Sequence, residues 1–316
     1  MSETRAIQTR GLRKVYRSGF FRIPYVGLEG LDLDVEPGES FGFIGPNGAG
    51  KTTAIKILMG LQGATEGTAT VLGRDHRDPE CRRKVGFLPE RPYFYQYLTA
   101  TEFLRFYGKL FDLRGPELER RIGALLERVG LARFADVKLG SYSKGMLQRA
   151  GVAQALINEP ELVVMDEPMS GLDPMGRALI RDLILEERDN GRTVFFSSHI
   201  LADVEVICDR IAIVVKGKLR GCGTVDELVG DRVRHVDITL AGDCGEELPG
   251  KTIRKDGELV LLRVGPEEVD EALDRIRAAG GRIRSVDRMR MHLEDLLLEE
   301  AERAEKVDAK HMGVLA

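Results

Sequence analysis

Nowhere in its 316 residues does this sequence hold the roughly 20 uninterrupted apolar residues that a membrane-spanning helix needs. That excludes a chain embedded in the bilayer by helices of its own. The opening residues, MSETRAIQTRGLRK, lack the apolar core of a secretory signal, so the chain is expected to stay in the cytoplasm. Four cysteines, Cys81, Cys208, Cys222 and Cys244, form no C-x-x-C pair and have no histidine at metal-ligand spacing. They read as free thiols in a reducing compartment. Five histidines leave little material for a histidine-rich metal site. A net charge of -4 with the two signs interspersed gives no basic stripe, so no nucleic-acid partner is expected.

What is present suits a folded chain with a large core. Hydrophobic residues make up 43% and charged residues 31%, and the length implies two domains. AIQTR, LDLDV and SFGFI read as short strands, the last running into the glycine-rich GPNGAGKTT and then the helix KTTAIKILMGL. From Thr101 to about Phe134 the pattern is helical, with Phe103, Leu104, Tyr107 and Leu110 on one face and Ile122, Leu125, Leu126 and Val129 on the next. ELVVMD, RTVFFSSH and RIAIVVKGK then alternate with helical stretches, which favours a mostly parallel, helix-covered sheet. After Gly230 come RHVDITL, a hairpin turning at Asp256-Gly257, a helix, a strand and a closing helix. We therefore expect an α/β domain over 1–230, with a helical subdomain at about 100–160, followed by a small α+β domain over 231–316.

Two motifs carry the chemistry. Gly45, Pro46, Asn47, Gly48, Ala49, Gly50, Lys51, Thr52 and Thr53 complete G-x-x-x-x-G-K-[ST] between a strand and a helix. Glycines let backbone N–H groups wrap a phosphate chain, Lys51 reaches the terminal phosphates, and the Thr52 hydroxyl suits Mg²⁺. The apolar strand LVVM then delivers Asp166, placed to hold Mg²⁺, and Glu167, placed to polarise an attacking water. A second anion-binding end stands at Ser143-Lys144-Gly145, where another helix opens.

The set YSKGMLQR, MDEP, SGLD and SSHI, in this order after the phosphate loop, resembles the ATP-binding cassette (ABC) family over residues from about 10 to about 220. The resemblance implies a P-loop NTPase cassette fold and the ATPase subunit of a transporter, of the export-type group with separately encoded permeases. It implies ATP and Mg²⁺ as cofactors, and a head-to-tail dimer in which Ser143 and Gly145 of one copy meet the γ-phosphate bound by the other. It implies His199 as the switch histidine at the γ-phosphate or its water, Asp173 at the subunit interface, and Tyr16 as the aromatic that stacks on adenine. It further implies a transmembrane permease as partner and a place at the inner face of the cell membrane through that permease. The competing class is a cassette ATPase acting as an ATP clamp on a ribosome or nucleic acid, which usually needs two cassettes or a long coiled coil.

The chain departs from the family pattern twice. Lys144 replaces the first signature glycine; it either adds charge toward the triphosphate or points into solvent. Glu90 stands where the family often has glutamine, and still offers an oxygen to Mg²⁺ or to the lytic water. Beyond it, RPYFYQYLT holds Tyr93, Phe94, Tyr95 and Tyr97, a loop so aromatic that it either folds inward or covers a partner. The family receives a short helix of the membrane subunit in this region.

Overall fold

A computed structural model describes residues 4–18, 23–230, 232–241, 248–257 and 259–313. The chain divides into two compact units, residues 1–225 with 300–316, and residues 226–299. Cys81, Cys208 and Cys222 are free thiols; Cys244 lies outside the described residues.

The first unit begins with β1 (Ile7–Ser18) and β2 (Ile23–Val35), a long antiparallel pair. Leu31, Leu33 and Val35 alternate inward and are buried, as their period of two requires. Next come β3 (Ser40–Ile44), α1 (Lys51–Leu58), β4 (Glu66–Val71), the short β5 (Arg74–Asp75) and β6 (Val85–Leu88). The helices α2 (Ala100–Leu110), α3 (Gly115–Arg128) and α4 (Lys144–Leu156) follow. The unit returns to alternation with β7 (Leu162–Met165), α5 (Pro174–Asp189), β8 (Thr193–Ser198), α6 (Leu201–Ile207), β9 (Arg210–Val215) and β10 (Lys218–Gly223).

Two sheets result, ordered β2-β1-β4-β5 and β10-β9-β3-β8-β7-β6. In the second, β9, β3, β8, β7 and β6 run parallel, and β10 closes one edge antiparallel. All residues of β3, β7 and β8 are buried, the mark of strands covered on both faces. Because β3, β7 and β8 point the same way, the loops that follow them open at one end of the sheet. Those loops begin with Gly45, Asp166 and His199.

In the helical part, α2 starts on a reciprocal cap between Thr99 and Glu102. Phe103 and Leu104 are buried as the spacing predicts, whereas Leu110 is exposed because its turn borders an open groove. Arg128 of α3 reaches the buried Glu187 of α5 at 2.5 Å, and Arg192 binds the same carboxylate. With Glu186 of α5 as a second partner of Arg128 at 2.9 Å, this four-residue network ties the helical part to α5 and to the residue that precedes β8.

The second unit holds α7 (Val225–Val229) at its start, then β11 (Val233–Ala241), β12 (Lys251–Asp256), β13 (Leu259–Val264), α8 (Val269–Ala278) and β14 (Arg282–Arg290). The antiparallel order is β12-β13-β11-β14, with Asp256 opposite Leu259 across the turn that begins at Gly257. Its core is Val236, Ile238, Leu240, Leu262 and Val264 from the sheet with Ala272 and Ile276 from α8. A last helix, α9 (Leu293–Gly313), ends the described chain.

Candidate functional site

The loop from Gly45 to Gly50 leads into α1, whose first residue is Lys51. Lys51 is only 6% exposed, and its ammonium turns back to donate to the Gly45 carbonyl at 2.7 Å and the Pro46 carbonyl at 3.3 Å. It also lies 3.3 Å from Glu167 Oε1. A buried ammonium so held has three fixed donors around a cradle of backbone N–H groups.

Asp166 and Glu167 follow β7 directly and are both buried. Asp166 Oδ1 accepts from the Ser197 hydroxyl at 2.6 Å. Burial holds the Asp166 carboxyl above its ordinary range, hydrogen bonds from Ser197 and Thr52 oppose the shift, and the Glu90 and Glu167 charges add to it. Glu167 adopts a left-handed φ of 53°, uncommon for a residue with a side chain. Its N–H donates to Ser197 Oγ at 2.9 Å, and its Oε2 lies 2.6 Å from His199 Nδ1. An ionised carboxylate has only acceptors, so with Glu167 ionised Nδ1 is the donor and Nε2 is left for another partner.

These groups line one cavity of about 490 Å³, bounded by Asn47 to Thr53 together with Glu90, Glu167, Ser170 and His199. Glu90 is exposed at its rim, with Arg91 3.9 Å away. Asp166 sits behind this wall, reached through Thr52 and Ser197. Tyr25 and Gly27 complete the wall. Tyr16 stands behind Tyr25, stacked on it at 5.2 Å, with its hydroxyl donating to Gln62 and 3.1 Å from Thr53. Tyr25, 56% exposed, presents its ring toward the site. Sequence reasoning passed over Tyr25 and Ser197; the available signals were the β1–β2 pairing that sets Tyr16 opposite Tyr25, and a hydroxyl at the end of an apolar strand.

Ser143, Lys144, Gly145 and Asp173 do not line that cavity. Ser143 caps α4, its oxygen accepting from the Met146 N–H at 3.3 Å. Asp173 caps α5 ahead of Pro174, accepting from the Gly176 N–H at 2.7 Å. Lys144 is exposed, and its ammonium lies over Gly171, 2.1 Å from where a Cβ on that glycine would stand. Gln148, one turn further along α4, donates to the Pro168 carbonyl at 3.0 Å and so anchors the helix to the loop after Glu167.

The aromatic loop divides. Phe94 is buried against Phe103, whereas Tyr93 and Tyr97 are 80% and 69% exposed. Beside them runs an apolar groove of about 340 Å³, walled by Leu61, Phe87, Tyr93, Phe103, Tyr107 and Leu110.

A strand, a glycine loop and a lysine-led helix facing a strand-borne Asp-Glu pair define a P-loop nucleoside triphosphatase. The family model described as "ABC transporter" matches residues 28–170. The chain is 43% identical over 303 residues to an uncharacterized ABC transporter ATP-binding protein of Synechocystis sp., covering 94% of this chain and 85% of that protein. It is 34% identical over 242 residues to the Nod factor export ATP-binding protein I of Cupriavidus metallidurans, covering 76% and 78% of the two chains. It is 38% identical over 248 residues to a fluoroquinolones export ATP-binding protein of Mycobacterium tuberculosis, covering 77% and 79%. A solved dimeric ATP-binding cassette, in a post-hydrolysis state bound to ADP and Pi, matches with a TM-score of 0.64 and 26% identity, over 69% of this chain and 98% of that one. The chain belongs to the family of ABC transporter ATP-binding proteins, and is an ATP hydrolase that binds ATP in a cassette fold. The clamp on a ribosome or nucleic acid is not favoured, because the relatives are transporter subunits.

Proposed function

We propose that two copies of this chain bind two Mg-ATP at a shared head-to-tail interface and drive a separate permease that exports its cargo. The observation that carries the hydrolytic half is the convergence of Lys51 and His199 on the two oxygens of Glu167 at the phosphate loop. An arriving γ-phosphate competes with Glu167 for the Lys51 ammonium, since phosphate brings more charge to it. The freed carboxylate then takes a proton from the attacking water, while His199 holds it through Nδ1 and offers Nε2 to the phosphate. Thr52, Asp166 and Glu90 are oxygen donors of the kind Mg²⁺ takes together with nucleotide phosphates, so the donor set fits that ion. Bound there, Mg²⁺ would neutralise phosphate charge. The stacked pair of Tyr25 on Tyr16 offers adenine a flat ring with a second ring behind it.

Ser143 and Gly145 would complete the site of the second copy, with Asp173 beside them. Their α4 end lines no part of the phosphate-loop cavity of its own chain. Glu167→Gln tests the assignment: size-exclusion chromatography with ATP should give a persistent ATP-bound dimer with no turnover. Hydrolysis by that variant at the parent rate would show that another group is the base.

The apolar groove beside Tyr93 is the surface we assign to a short cytoplasmic helix of the permease, which holds the chain at the inner face of the membrane. Among the described residues no helix is long and apolar enough to cross a membrane. Export is the direction suggested by the relatives named for Nod factor and fluoroquinolones export. We assign residues 1–230 to the cassette and 231–316 to an accessory domain that supports or regulates the dimer; deletion after Gly230 and a dimerisation assay test that role.

A further inference from the structure

Strands β7 and β8 run parallel, with Val164 opposite Phe195 and Met165 opposite Phe196. The next rung sets the Asp166-Glu167 pair against Ser197, a residue of zero exposure that follows the apolar run Val194-Phe195-Phe196 near the end of β8. One oxygen serves both acids: Ser197 Oγ donates to the Asp166 side chain at 2.6 Å and accepts from the Glu167 main chain at 2.9 Å. A serine hydroxyl has one proton and two lone pairs, so this double use is within its capacity. Ser198, next in the chain, is spent on a local turn, accepting from the Ile200 N–H at 2.9 Å, and cannot substitute.

We propose that Ser197 is a positioning residue for hydrolysis, setting the base Glu167 and its neighbour Asp166 in register through a single hydroxyl. The inference rests on Glu167 being the base. Glu167 is held at a left-handed φ of 53°, a conformation that neighbouring contacts must impose. The hydrogen bond to Ser197 fixes its N–H, and with it the direction in which the carboxylate leaves the strand toward His199 and Lys51. Without the hydroxyl, a buried N–H loses its partner and Asp166 loses a buried donor. The main chain then relaxes toward the right-handed region, and the carboxylate turns away from the water it must deprotonate. Nucleotide contacts through the phosphate loop stay in place, because Ser197 lines no part of that cavity.

The test uses the purified full chain with Ser197→Ala, Ser197→Thr and Ser197→Val. Thr keeps the hydroxyl and Val has the same shape without it. Turnover, KM for ATP, affinity for the fluorescent analogue mant-ATP and thermal midpoint are measured together. Ser197→Ala should lower kcat about tenfold or more while KM and mant-ATP affinity stay within about twofold, the signature of a group that acts after binding. Ser197→Thr should recover most of the parent kcat and Ser197→Val none of the loss. A kcat for Ser197→Ala within about twofold of the parent, or equal rates for Thr and Val, overturns the proposal. So does a loss of mant-ATP binding that matches the loss of turnover, since the residue would then be shaping the nucleotide pocket. Glu167→Gln run alongside separates the two readings. If it is silent while Ser197→Ala is normal, only the role of Ser197 fails; if it turns over at the parent rate, the base assignment itself fails.

Discussion

A pair of alanine substitutions in the phosphate loop separates two reasons for glycine. Gly48 and Gly50 both have positive φ, 79° and 104°, but a Cβ on Gly48 would meet nothing within 4 Å. A Cβ on Gly50 would lie 2.4 Å from the Gly27 carbonyl oxygen and 3.0 Å from a methyl of Leu28. Gly48→Ala therefore costs only the left-handed conformation, about 1–2 kcal/mol. Gly50→Ala costs that and the displacement of β2 by about 1 Å, an overpacking of about 1–3 kcal/mol more. The strand cannot yield freely, because the Glu29 N–H is bound to the Gly217 carbonyl at 2.8 Å and Gly217 in turn donates to Ala49. At about 2–4 °C per kcal/mol, the thermal midpoint of Gly50→Ala should lie about 2–12 °C below that of Gly48→Ala. Because Gly27 and Tyr25 line the nucleotide cavity, Gly50→Ala should also weaken ATP binding at temperatures where it remains folded. Equal midpoints for the two variants would refute the argument that the backbone contact, rather than φ, sets the difference.

Asp166→Asn should raise the thermal midpoint of the nucleotide-free chain at neutral pH while abolishing Mg-dependent turnover. Burial raises the folded pKa of Asp166 above its unfolded value, so its stabilising contribution is present below the unfolded pKa and lost as pH rises through the folded one; midpoints measured against pH should show the gap between variant and parent closing as pH falls through that range. Glu187→Gln removes the buried carboxylate shared by Arg128 and Arg192 and leaves Arg128 only its half-exposed partner Glu186, a loss of about 1–3 kcal/mol by denaturant titration, part of which a second change, Arg128→Met, should restore. Tyr93→Ser removes the most exposed ring beside the apolar groove and should reduce the stimulation of ATPase by a co-reconstituted permease, with the isolated chain measured as the reference.

The cassette was legible in sequence where a local pattern forces a local shape. Predominantly apolar runs such as LVVM and VFF point to sheet interior, and a glycine loop between a strand and a helix fixes where phosphate goes. Side-chain direction in irregular segments was less legible. Phe94 and Tyr93 are adjacent and equally aromatic, yet one packs on Phe103 and the other faces water, a choice made by α2 rather than by the loop itself. Tyr16 was visible as an aromatic near the site, but only the β1–β2 register sets Tyr25 across from it, and Tyr25 is the ring that lines the cavity. The hydroxyl of Ser197 was hidden for a similar reason, since its two partners come from a strand that precedes it by some thirty residues.

The sequence offers two helix ends suited to an anion, and the fold gives them different surroundings. The Lys51 end is enclosed, charged and already meets a carboxylate, so a triphosphate entering it replaces one anion by a stronger one. The Ser143 end is open, its serine oxygen used as a cap, and among the described first-turn residues there is no acid to balance Lys144. A cation at the positive end of a helix is unfavourable by about 0.3–1 kcal/mol until an anion arrives. Lys144 meanwhile lies across Gly171, adjacent to Ser170, which lines the chain's own nucleotide cavity. In the proposed dimer, a phosphate brought by the second copy would draw Lys144 off Gly171, next to the first copy's ATP. The departure from the family glycine would then link the two sites, and Lys144→Gly should leave each copy closing on its own nucleotide with less dependence on the other, read as a lower Hill coefficient for ATP in turnover.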